Sequence, residues 1–166
     1  ETILPNIQKD SFVLFNVTEV LTDSELSLGS APWRAYIRSQ TNNTFLQDKL
    51  TWIVTKRIPH KSVESVTPEF IKNLQNDEIA VAGLTSKGRA KWYSTQQPGV
   101  DMLTRYLLNC MGIDFSNSTL PFYYIQMEGA PFLEHYNSGI FYTNHMDKGQ
   151  FLKELLVDSG YKPSSV

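Results

Sequence analysis

Two continuous apolar runs constrain this chain more than any other feature of its sequence. Residues 12–15 and 79–84 contain no polar side chain and show no alternation. Strands with one face in water alternate apolar and polar residues, whereas strands of a parallel sheet covered on both faces are apolar throughout. The two runs therefore predict strands of a buried, largely parallel sheet.

Helical patterns lie between and after these runs. Four segments place apolar residues on one face at helical spacing: 46–54, 70–74, 100–108 and 151–156. Thr44 and Thr67 are candidate N-caps, and Gly112 and Gly160 are candidate helix ends. Residues 122–126 and 140–143 are predicted as strands of a β-hairpin.

Strands that alternate with helices indicate an α/β fold, with a Rossmann-like, largely parallel sheet flanked by helices. We predict one domain over residues 1–166, with its core in 1–22 and 67–166. The polar-faced helical stretch at about 23–66 is predicted to be a small cap insertion.

Composition excludes some classes of function. The chain has 15 basic and 17 acidic residues and a net charge of −2, with no Lys/Arg block, which argues against nucleic-acid binding. No apolar run approaches the ~20 residues of a membrane-spanning helix, so no membrane span is expected. Cys110 is the only cysteine. It excludes an intramolecular disulfide, and its apolar neighbours predict a core thiol.

Polar residues follow both predicted strands. Asn16 and Thr18 come after the first run, and Thr85 and Ser86 come after the second. Ligands of open α/β sheets bind at the carboxyl ends of the strands, so we expect a ligand site at these two loops.

The strand and loop over residues 12–21 resemble the first motif of haloacid-dehalogenase-like (HAD-like) phosphatases. Residues 84–87 resemble the second motif, an apolar strand that ends in threonine, and 145–149 resemble the third, a lysine that opens a helix. Residues 28–33, 112–116 and 139–143 extend the similarity. Together they resemble an uncharacterised bacterial HAD-like family that is found mainly in intracellular pathogens and often bears signal peptides.

This resemblance implies a magnesium-dependent site in which an aspartate attacks phosphorus. Thr85, Ser86 and Lys148 would bind the phosphate. Asn16 stands at the nucleophile position and Thr18 at the second aspartate, so any metal binding by these two residues would be degenerate. The family also implies a later strand that ends in paired aspartates, which complete the metal site. This strand would come after Val166, so we expect the metal site to lack both aspartates.

We therefore expect a catalytically silent HAD-like protein that binds a phosphorylated small molecule or a protein partner, with magnesium absent or weakly bound. One alternative is a magnesium-dependent phosphomonoesterase in a truncated or nucleophile-altered form. Another is a secreted interaction domain without a phosphate site. The resembled family's signal peptides suggest export to a bacterial periplasm, but the residues themselves leave the compartment open.

Simpler roles are available for each candidate residue. Asn16 and Thr18 are common turn residues. Thr85 and Ser86 suit the N-cap of a following helix, and capping is compatible with anion binding at the same amides. Lys148 could be a solvated lysine in a first helical turn, although the helix dipole does not favour a cation there.

Overall fold

The computed structural model describes residues 7–17, 22–24, 31–57, 60–62, 64–88, 100–118, 120 and 133–166. Six strands and five α-helices lie in these ranges. In chain order they are β1 (Phe12–Asn16), β2 (Thr22–Ser24), α1 (Ala31–Gln40), α2 (Thr44–Arg57), β3 (His60–Ser62), α3 (Thr67–Asn76), β4 (Ala80–Thr85), α4 (Val100–Cys110), β5 (Tyr136–Asn137), β6 (Ile140–Tyr142) and α5 (Lys148–Ser159). Short 3₁₀ turns occupy Phe115–Asn117 and Leu133–His135.

The main sheet has four strands in the order β1-β4-β6-β5. β1, β4 and β6 run parallel, and β5 is antiparallel to β6. The predicted α/β fold with a largely parallel sheet is confirmed, and both apolar runs form strands of it.

Apolar side chains cover both faces of the sheet, as the unalternating runs predicted. One cluster contains Val81 and Ile140 and packs on α3, α4 and the turn at Phe115. The other contains Leu84 and Phe141 and packs on α5. Each strand therefore sends alternate side chains into two separate layers of the core.

The hairpin at the sheet's edge joins β5 to β6 through Ser138 and Gly139, which both have positive φ. A Cβ added to Gly139 would collide with the backbone oxygen of Phe115, so only glycine fits at this turn. The predicted strand at 140–143 is confirmed as β6. Its predicted partner at 122–126 lies outside the described residues.

The described residues between β1 and α3 form two helices and a small second sheet. β2 and β3 pair antiparallel, with Thr22 opposite Ser62, and so join the two ends of the segment. The role of this segment as a cap stays a prediction.

The prediction of an apolar face on α2 is only partly correct. Val54 is buried, but Leu46 and Ile53 are 42% and 39% exposed.

Two predicted N-caps are wrong by one residue. At α2 the side chain of Asn43 accepts a hydrogen bond from the Leu46 amide at 3.1 Å, and the helix begins at Thr44. At α3 the cap position is Val66, which makes no side-chain cap bond, while Thr67 is buried within the helix. Both threonines are already helical, so their neighbours take the cap position.

Cys110 is exposed, so the prediction of a core thiol is wrong. It is the last residue of α4, where Leu108 takes the buried position and Cys110 lies on the outer side. None of the helices in the described ranges is long and apolar enough to span a membrane.

The last residues return to the start of β1. The Phe12 amide donates to the Ser165 carbonyl at 2.9 Å, and the Ser164 hydroxyl donates to the Asp10 carboxylate at 2.7 Å. The Tyr161 hydroxyl donates to the Asp10 carbonyl at 3.3 Å. These bonds hold the segment after α5 beside β1, on the side away from β4.

Candidate functional site

A lysine and an asparagine from opposite ends of the chain meet at the carboxyl end of the sheet. Asn16 is the last residue of β1, and Lys148 is the first residue of α5. The Lys148 Nζ donates a hydrogen bond to the Asn16 Oδ1 at 2.8 Å. Both side chains are partly exposed, so the pair remains accessible to a ligand.

The start of α5 places Lys148 at this edge. Asp147 caps the helix, its carboxylate accepting from the Gln150 amide at 2.9 Å. Phe151 and Leu155 are buried against the sheet and hold the helix across it. The capped first turn and the buried apolar stripe together direct the lysine towards β1.

Hydrogen bonds join the loop after β4 to the loop after β6. Amides of the second loop donate to carbonyls of the first: Thr143 to Thr85 at 2.9 Å, His145 to Ser86 at 2.8 Å, and Asn144 to Lys87 at 3.2 Å. The two loops are therefore joined side by side through their backbones at the carboxyl end of the sheet. The second loop leads directly into Lys148.

Thr85 lies close to Asn16, at the end of the neighbouring parallel strand. Asn16 is opposite Leu84 in the β1–β4 register, so the Cα atoms of Asn16 and Thr85 are ~6 Å apart by strand geometry. The Thr85 side chain is completely buried, and its hydroxyl accepts from the Lys87 amide at 3.3 Å. Ser86 is half-buried in the same loop.

Asn16 and Thr85 nevertheless leave the sheet on opposite faces. Asn16 follows Phe12 and Leu14 in the alternation of β1 and is on the α5 side, whereas Thr85 follows Val81 on the α3 and α4 side. The structure thus brings Asn16 and Lys148 into direct contact. Thr85 is adjacent to Asn16, but its hydroxyl accepts from its own loop, and its role as a phosphate ligand stays a prediction.

A family model described as "Protein of unknown function (DUF2608)" matches residues 1–166. The chain belongs to this DUF2608 family. No curated protein and no solved structure matches it.

The magnesium implied by the HAD-like resemblance does not fit the donors among the described residues of this DUF2608 chain. The described residues contain no group of three or more His, Cys, Asp or Glu side chains that could hold a metal ion. Asn16 offers a neutral oxygen that already accepts from an ammonium group. Magnesium prefers several hard, anionic oxygens. Thr18, the other predicted metal residue, lies outside the described residues.

Sequence reasoning missed the two residues that turn the chain into α5. Asn144 and His145 adopt positive φ of 52° and 67°, a conformation that non-glycine residues seldom adopt. Their amides donate to the loop after β4, so the unusual backbone is fixed by tertiary contacts. The asparagine was the one available signal, because Asn tolerates this conformation better than most residues.

Proposed function

We propose that this protein binds a phosphomonoester group at the carboxyl end of its sheet and does not hydrolyse it. The contact between Lys148 and Asn16 carries the proposal. An ammonium group held at the edge of a parallel sheet lies where α/β folds bind their ligands, and phosphate is a common partner of a fixed ammonium.

The charge around Lys148 supports an anionic ligand. Its bond to Asn16 is the only polar contact recorded for its ammonium group within the described part of the chain. Asn16 is neutral, so no described carboxylate offsets the positive charge. A half-buried cation without a counter-ion among the described residues attracts an anion strongly because solvent screens it only in part.

The same asparagine is the reason we expect no turnover. In the HAD-like interpretation of the motifs, a carboxylate at this position attacks phosphorus and forms a covalent intermediate. A carboxamide is a poor nucleophile, and Lys148 holds the Asn16 oxygen in a hydrogen bond. The protein then keeps the phosphate-binding half of the ancestral site without its nucleophile.

Thr85 and Ser86 complete the proposed site from the neighbouring strand. The Thr85 hydroxyl accepts a hydrogen bond from the Lys87 amide and so fixes the loop that contains Ser86. Ser86 is half-buried beside it and supplies a hydroxyl donor to a phosphate oxygen.

Calorimetric titration with p-nitrophenyl phosphate tests the proposal, with release of p-nitrophenol followed in parallel. We expect saturable binding, no release above the buffer rate, and loss of binding in Lys148→Met. Lys153→Met is the matched control, since Lys153 is exposed on the same helix. Equal affinity of Lys148→Met and the unchanged protein contradicts the proposal.

The same assay separates the alternative functions. Hydrolysis by the unchanged protein, or strong hydrolysis restored by Asn16→Asp, favours a phosphomonoesterase in altered form. Absence of binding at every ligand concentration favours an interaction domain without a phosphate site.

A further inference from the structure

We infer that the site takes its phosphate group without a divalent cation, and that the neutral side chain of Asn16 is the reason. The inference rests on the proposed function because it concerns the same site. It departs from the HAD-like resemblance, which implies a magnesium ion between the protein and the phosphate.

The inventory of donors and acceptors at the Lys148–Asn16 pair supports it. An ammonium group has three N–H donors, and the bond to Asn16 uses one of those of Lys148. The Nδ2 group of Asn16 has two further donors, with no partner recorded in the described residues. The pair therefore offers several donors and a single positive charge, which complement the oxygens of a phosphate.

A cation has no comparable place at this pair. Asn16 Oδ1 is a neutral ligand that faces an ammonium group 2.8 Å away. A divalent ion bound to that oxygen would lie beside the ammonium group, and the described residues contain no group of three or more His, Cys, Asp or Glu side chains that could hold it there. The resembled phosphatases hold the phosphate with this lysine and a magnesium ion together, whereas here Lys148 supplies the positive charge of the pair alone.

Residue 16 then sets the requirement for a cation. An aspartate at this position would pair with Lys148 and neutralise it, so that a phosphate dianion would meet a site with no net positive charge. A divalent cation bound to the new carboxylate would restore attraction. Asn16→Asp is therefore expected to convert cation-independent binding into cation-dependent binding.

The experiment is calorimetric titration of the protein with inorganic phosphate, once in EDTA and once in excess Mg²⁺. The unchanged protein is expected to give the same Kd in both buffers. In Asn16→Asp the Kd in EDTA rises about tenfold or more, as loss of a charge-assisted contact predicts, and falls again when Mg²⁺ is present. Asn76→Asp, which adds the same charge at an exposed position on α3, leaves the Kd unchanged in both buffers.

The outcomes distinguish this inference from the proposed function. Binding by the unchanged protein in Mg²⁺ alone overturns the inference and leaves the phosphate site in place. No binding in either buffer overturns both. Equal binding of Asn16→Asp in EDTA and in Mg²⁺ overturns the role given to the charge at residue 16.

Discussion

The ammonium group of Lys148 lies 2.8 Å from the amide oxygen of Asn16, although 132 positions separate the two residues in the chain. The bond joins the first residue of α5 to the last residue of β1. It therefore links the start of the last helix to the carboxyl end of the sheet, where the candidate site lies.

We expect the two residues to stabilise the fold as a pair. A double-mutant cycle with Asn16→Ala and Lys148→Met should give a coupling of about 0.5–1.5 kcal/mol in the free energy of unfolding, the usual net value of a hydrogen bond. Urea unfolding measures it. Asn16→Ala combined with Lys153→Met should be additive within error, and additivity of the Lys148 pair would show that the bond is not formed in solution.

Gly139 should tolerate no side chain. Gly139→Ala places a Cβ against the Phe115 backbone oxygen at a φ of 79°, so strain and overpacking should together cost about 3 kcal/mol or more. Gly160→Ala has a similar φ of 64° with nothing within 4 Å of the added carbon, and should cost only about 1 kcal/mol. Thermal unfolding of both variants compares them, and equal losses would contradict a close approach at Gly139.

Loss of the α5 cap should weaken the helix that carries Lys148. Asp147→Ala removes the acceptor of the Gln150 amide and should cost about 1 kcal/mol of stability. Asp158→Ala changes an exposed carboxylate in the last turn of the same helix, where the helix dipole disfavours negative charge, and should cost nothing. Chemical denaturation checks both. A loss in Asp158→Ala equal to that in Asp147→Ala would argue against the cap.

Tyr161 should make the fold sensitive to high pH. Burial, and then the charge of Asp10, raise the pKa of the Tyr161 hydroxyl above its ordinary value of 10.0. The folded state thus favours the neutral phenol, and this contribution to stability is complete below pH 10.0 and is lost as the pH rises through the higher folded pKa. Tyr161→Phe should show a smaller fall in melting temperature across that range.

The control for this titration is Tyr36→Phe, because Tyr36 is 61% exposed on α1. Its alkaline profile should follow that of the unchanged protein. If Tyr161→Phe also follows that profile, the hydroxyl of Tyr161 is not partly buried beside Asp10 in solution.

Much of the fold could be predicted because it depends on local apolar patterns. The runs ending at Phe15 and Leu84 form strands with both faces covered, and the stripe with Phe151 and Leu155 packs α5 on the sheet. Cys110 shows where this reasoning failed. Its apolar neighbours are those of a core residue, but only the helix's rotation against its neighbours decides which of them is buried.

The meeting of the candidate residues at one edge of the sheet could be predicted from the sequence, but their arrangement there only in part. Asn16, Thr85 and Lys148 were expected at one edge, and β1, β4 and the start of α5 do meet there. The burial of Thr85, and its position on the opposite face from Asn16, depend on strand alternation within a specific register. The motif similarity does not contain that information.

The sequence by itself determined the class of fold, since apolar residues recur with the period of the helix or strand that buries them, and this period can be seen within a few residues. Only the tertiary structure decided that Lys148 reaches Asn16. That contact needs the order of the strands, the left-handed backbone at Asn144 and His145, and the cap at Asp147. The strand order and the left-handed backbone are fixed by hydrogen bonds and packing between segments, which the local pattern of side chains does not record. The cap is a local bond, and it matters here because the other two features place it at the end of β1.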